Sequence, residues 1–162
     1  MAILAVPVAV GDSVSFTKTV SETDVYLFAG ISGDFSPNHV DEQYMKSSPF
    51  GKRVAHGALS VAFMSSASAK MTRVSQDLYG AAAPTPMALG FDRLRFLKPV
   101  FFGDTLTTTY TVEAIDESRT IPRSIARIEV RNQHGELTAV AQHINAWVPP
   151  ETTVAASGRS GA

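Results

Sequence analysis

With 162 residues, 44% of them hydrophobic, the chain is long enough for one domain with a real core, and a formal charge of −1 with scattered lysines and arginines leaves no footprint for nucleic acid. There is no cysteine, which excludes a disulfide framework, a thiolate nucleophile and a cysteine-based zinc site. The apolar opening, residues 1–10, lacks a basic flank, is interrupted by Pro7 and is too short for a membrane span, so a cytoplasmic chain with no membrane partner is expected.

Residues 12–20 alternate, with Val14 and Phe16 on one face, and predict a first strand. Ser21 and Asp24 have the spacing of a capping box, so a helix should begin there, gain an apolar stripe from Val25, Phe28 and Ala29, and stop at Gly33. A polar loop then brings Asp34, Ser36, Asn38, His39 and Asp41 together, with Pro37 stiffening its middle. Asp41 reads as the start of a short helical turn over 41–46, and Pro49-Phe50 as an apolar patch. From 53 to about 71 the residues are apolar or small on nearly every side, which predicts a buried helix with a sheet close around it. Serines 60, 65, 66 and 68 argue against reading that helix as a membrane span.

Residues 79–86 are rich in glycine, alanine and proline and predict a loop. Strands are expected at 87–97 and 100–102, on either side of Lys98-Pro99, and at 104–115, where Leu106, Thr108, Tyr110, Val112 and Ala114 share a face. Two more follow at 124–130 and 137–148, joined by a turn at His134-Gly135 and ended by Pro149-Pro150. Residues 150–162 read as a disordered tail. The order is one strand, a helical section and then consecutive antiparallel strands, without βαβ alternation. It predicts a single α+β domain over 10–149, an antiparallel sheet of five or six strands wrapped around one central helix.

The chemistry concentrates in residues 28–59. A carboxylate and an imidazole five positions apart, Asp34 and His39, can converge on one water across a loop that glycine and proline hold in shape, as acid–base work requires. Taken alone, this spacing also suits an inert polar turn.

Two longer stretches resolve the choice. Gly33-Asp34-Phe35-Ser36-Pro37-Asn38-His39, followed by Phe50 and Val54-Ala55-His56-Gly57, resembles the signature of the MaoC-like, R-specific enoyl-CoA hydratases of the hot-dog fold. A later segment, residues 96–106 (FLKPVFFGDTL), resembles another feature of that family, and the likeness extends from residue 10 to 148. The resemblance implies hydration of trans-2-enoyl-CoA to (R)-3-hydroxyacyl-CoA, or the reverse dehydration. It assigns Asp34 and His39 as the catalytic pair, the Gly57 N–H as oxyanion donor and Ser65 as a supporting residue. Ser36, Asn38, Phe50 and His56 join them as supporting or substrate-binding residues. It implies no cofactor beyond the coenzyme A of the substrate, and a homodimer or higher homo-oligomer.

Two positions depart from the family pattern: Ser36 stands where an asparagine is usual, and Asn38 where an aliphatic residue is. The helix start at Gly57 supplies unpaired N–H groups and a positive dipole end, which suits a developing oxyanion independently of any family. His56 reads as a structural residue serving backbone groups, and His143 as a sheet residue. His39, Asp41, His56 and His143 match no zinc spacing, so no metal is expected. A hot-dog acyl-CoA thioesterase and a non-catalytic acyl-thioester-binding protein are the alternative functions.

Overall fold

The computed structural model describes residues 6–80 and 83–150. Its elements are β1 (Ser13–Thr19), α1 (Glu22–Ser32), α2 (Pro37–Val40), α3 (Glu42–Lys46), α4 (Gly57–Tyr79), β2 (Thr85–Phe96), β3 (Thr105–Asp116), β4 (Arg123–Arg131) and β5 (Leu137–Val148). The expected tail falls almost entirely outside the described residues.

Five strands form one antiparallel sheet in the order β1-β3-β4-β5-β2. The period-two patterns decide which face each strand buries: Leu106, Thr108, Tyr110 and Val112 of β3 meet Ala126, Ile128 and Val130 of β4 in the core, with Ala139, Ala141 and Trp147 of β5 beside them. A register shift between Val112 and Ala114 corrects one expectation, because the bulge there leaves Ala114 exposed instead of continuing the buried face. On the opposite face, four hydroxyl pairs pin edge strand β1 to β3: Ser13–Thr111, Ser15–Thr109, Thr17–Thr107 and Thr19–Thr105, at 2.8–3.3 Å. The other edge, β2, has shifts at Gly90 (φ 145°) and around Arg93 (φ 52°), backbone conformations that bulges require.

The central helix differs from the expectation at both ends and on one face. It begins at Gly57, not 53, because the preceding residues are extended against the 100–101 segment, with Ala55 N–H donating to Val100 O and Val54 bridging Phe101. It runs to Tyr79, not 71, and its final turns carry exposed Arg73, Gln76 and Asp77, which need no core to be helical. Leu59, Phe63, Met64, Ala67 and Met71 pack into the sheet, whereas Ala58, Ala62, Ser65 and Ala69 are exposed. The sheet therefore covers one side of α4, and the all-round burial read from composition is corrected: the small side chains line an open stripe. The strand expected at 100–102 is not formed either. Pro99 has no N–H to donate, and Gly103 (φ 90°) turns the chain, leaving one isolated bridge.

Candidate active site

Helix α1 delivers the chain to the site. Ser21 caps it in the predicted box with Asp24, and Gly33 ends it in the left-handed region at φ 78°, a conformation that favours glycine. Asp34 follows at once. Ser36 then donates both its N–H (3.1 Å) and its hydroxyl (2.5 Å) to Asp34 Oδ1. These two bonds hold the Asp34 carboxyl below its ordinary value and leave Oδ2 free. The serine that replaces the usual asparagine thus serves as the carboxylate's clamp.

The segment expected as loop contains one helical turn, α2, with Pro37 at its first position. The turn places His39 beneath the surface, and three hydrogen bonds stitch this segment to the approach to α4. Val54 N–H donates to Asn38 O at 3.0 Å, His39 Nδ1 donates to Val54 O at 2.7 Å, and His56 Nε2 donates to Asp34 O at 2.9 Å. Because a carbonyl only accepts, His39 carries its proton on Nδ1 and presents Nε2 as the bare nitrogen of the neutral ring. That nitrogen lies 3.9 Å from Asp34 Oδ2 and receives the Asn38 amide at 3.1 Å. Asn38, the second departure, therefore contacts His39 Nε2 directly.

Arg53 anchors the stitched segment. Its guanidinium donates to Glu22 (2.7 Å), Glu42 (3.0 Å) and Tyr26 Oη (3.3 Å) and lies over the Phe102 ring, tying α1 and α3 to the residue before Val54.

A cavity of about 410 Å³ opens beside His39, walled by Phe50, Val54, Ala55, Phe96, Leu97 and Val100, with Gly57, Ser60, Lys98 and Thr138 also on its lining. Gly57 is the first residue of α4, and no side chain caps that helix end. Among the described residues its N–H has no backbone acceptor outside the helix, and the residue stands at the positive end of a long helix on the wall of a mostly apolar space. A Cβ at position 57 would stand 2.8 Å from the Phe96 ring, so glycine is what lets that wall close in.

Of the residues singled out in the sequence, Asp34, Ser36, Asn38, His39 and His56 come together, and Gly57 and Phe50 line the adjoining cavity. Ser65 does not join them: it is exposed on the open stripe of α4, and the serine that lines the cavity is Ser60. Ser60 stands three residues after Gly57 on the same helix face, a spacing visible in the sequence. Asp41 caps α3 by accepting from Tyr44 N–H at 2.9 Å, and His143 lies in the core against Tyr110 and Phe91, so the four-residue metal set is not assembled. Asp34, His39 and His56 do bring ligand atoms within 4.8 Å of one another. His56 Nε2 is committed to a carbonyl and His39 Nε2 receives the Asn38 amide, so of these three facing atoms Asp34 Oδ2 alone has no hydrogen-bond partner among the described residues, short of the usual three protein donors. The Val54 carbonyl, the Phe28 ring against His56 and the Phe96 ring against Gly57 were not marked by residue type, since backbone acceptors and packing partners have no sequence signature.

The MaoC like domain profile matches residues 6–134. The chain belongs to the MaoC-like family. Among its MaoC-like relatives, an (R)-specific enoyl-CoA hydratase from Rhodospirillum rubrum is 42% identical over 106 residues, 65% of this chain and 66% of that protein. A monoamine oxidase regulatory protein from Archaeoglobus superposes with a TM-score of 0.76 at 29% identity, covering 88% of this chain and 93% of that one. The unliganded R-hydratase from Pseudomonas aeruginosa superposes at 0.70 and 29% identity, covering 88% and 84%. The sheet and helix described above are the hot-dog arrangement of these MaoC-like proteins. No helix among the described residues is long and apolar enough to cross a membrane.

Proposed function

We propose that this MaoC-like protein adds water reversibly to trans-2-enoyl-CoA thioesters, giving (R)-3-hydroxyacyl-CoA, through Asp34 and His39. The observation that carries the reading is the pair itself: Asp34 Oδ2 and His39 Nε2, 3.9 Å apart, beside a cavity on whose wall lies Gly57. The substrate class and the R configuration follow the names of the relatives, an (R)-specific enoyl-CoA hydratase and an R-hydratase.

In the hydration direction, a water within reach of both atoms gives a hydrogen bond to the ionised Asp34 carboxylate and its proton to His39 Nε2, taking the place of the Asn38 amide. The water oxygen bonds to C3 as the C2–C3 π electrons move into the thioester and form an enolate. The Gly57 N–H stabilises the enolate oxygen. Imidazolium, steadied by Asp34 nearby, then returns the proton to C2, so one H and one OH are added and the site is restored. Coenzyme A enters only as part of the substrate, and no step requires a metal. A homodimer or larger assembly and a cytoplasmic location belong to the same proposal. In support of assembly, edge strand β2 exposes Met87, Leu89 and Phe96 along an unpaired edge. Sedimentation showing a monomer at micromolar concentration would refute the dimer.

Incubation with crotonyl-CoA tests the reaction: loss of enoyl absorbance is expected, whereas release of free thiol would mean a thioesterase and neither signal a binding protein. Asp34→Asn and His39→Ala should each reduce kcat by about 10²–10⁴ with melting temperature nearly unchanged. As members of one unit, the two changes together should cost little more than the worse single one. Near-wild-type hydration by Asp34→Asn would refute the assignment.

A further inference from the structure

His56 is used by no step above, yet it is 3% exposed and touches both members of the pair. Its Nε2 donates to the main-chain carbonyl of Asp34 at 2.9 Å and lies 3.9 Å from that residue's Oδ2. Its ring stacks on His39 with centroids 3.7 Å apart and an interplanar angle of 28°, and Phe28 backs it from 4.8 Å. The remaining ring nitrogen, Nδ1, is buried without a hydrogen-bond partner among the described residues.

These contacts assign a tautomer. The Asp34 carbonyl can only accept, so Nε2 bears a proton, and in the neutral ring Nδ1 is then the bare nitrogen. A bare imidazole nitrogen buried without a partner costs free energy, and a cheaper side chain would be expected if packing were its whole purpose. The compensation is geometric. The N–H fixes the peptide of the residue that carries the catalytic carboxylate, while the flat face fixes the plane of the catalytic imidazole.

We propose that His56 is a positioning residue that aligns Asp34 through its Nε2–H and His39 through its ring, and passes no proton itself. With Nε2–H committed to a carbonyl and Nδ1 meeting no donor or acceptor among the described residues, a relay through this ring has neither entrance nor exit. The proposal rests on the hydration reading above, since alignment matters only if that pair acts.

Two variants separate the halves of the role. His56→Phe keeps a flat ring in the stack and loses the N–H; His56→Gln keeps an N–H donor and loses the ring. Each should fold with a melting temperature within a few degrees of wild type. In the crotonyl-CoA assay, His56→Phe should lose about 10–100-fold in kcat with KM changed less than about threefold, the mark of misalignment rather than lost binding. His56→Gln should recover part of that loss. Retention of wild-type kcat by His56→Phe, or loss of kcat in step with melting temperature in both variants, would overturn the proposal. Nitrogen-15 NMR of histidine-labelled wild-type protein reads the tautomer without any substrate, and a protonated Nδ1 on His56 would also overturn it. A wild-type chain inert on enoyl thioesters would instead refute the assigned reaction, and the proposed role in it, even with the tautomer as described.

Discussion

Acidification from pH 7 to pH 5 should destabilise the fold mainly through one residue far from the site. His143, in β5, is 1% exposed, with its Nδ1 3.2 Å from Tyr110 Oη and its ring 4.7 Å from that of Phe91. Burial disfavours the imidazolium and pushes its pKa down from 6.5 to about 4. Between those values the unfolded chain binds a proton that the folded chain refuses. Stability is therefore complete above pH 6.5, falls as pH drops towards 4, and levels off below that. The full gap is worth about 3 kcal/mol, of which about 2 kcal/mol should be lost between pH 7 and 5. Urea unfolding followed by fluorescence of the buried Trp147 measures this across pH, for wild type and for His143→Gln, which cannot titrate but can still meet Tyr110. The other histidines contribute equally to both proteins and cancel in the difference. The carboxylates held low by partners, such as Asp24 and Glu129, act only at more acid pH. The variant should be less stable at pH 7 but flatter with pH. Parallel curves for the two proteins between pH 6.5 and 5 would refute the reasoning.

Gly57→Ala should separate activity from stability. The added Cβ meets the half-exposed Phe96 ring, which can yield, so unfolding free energy should change by less than about 1 kcal/mol, while hydration falls by about tenfold or more because the methyl intrudes on the cavity wall where the thioester must approach; equal losses in both would contradict the need for that close approach. Ser21→Ala removes the α1 cap and should cost about 1 kcal/mol in urea unfolding, with kcat on crotonyl-CoA unchanged within about twofold, because the bonds that aim Asp34 lie beyond the C-terminal end of that helix.

The sequence by itself determined whatever depends on local pattern. Alternation in 104–115 and 124–130 marked strands, because a pleated backbone sends successive side chains to opposite faces. Ser21, Asp24 and Gly33 marked the ends of α1, since capping is settled within a few residues. The Asp34–His39 spacing was legible for the same reason, whereas the start of α4 at Gly57, later than the pattern implied, depends on the pairing of 54–55 with 100–101. Tertiary structure alone decided the rest. Composition could not tell that only one side of α4 is covered, because small residues suit a buried contact and an open stripe equally well. The packing of the helix against the sheet placed Ser60 at the cavity and Ser65 away from it. The tautomer of His39 depends on the Val54 carbonyl, and the position of Asp34 on the ring of His56, 22 residues later. Such bonds join a backbone atom to a distant side chain. No residue type announces them, and they exist only once the chain has folded back on itself.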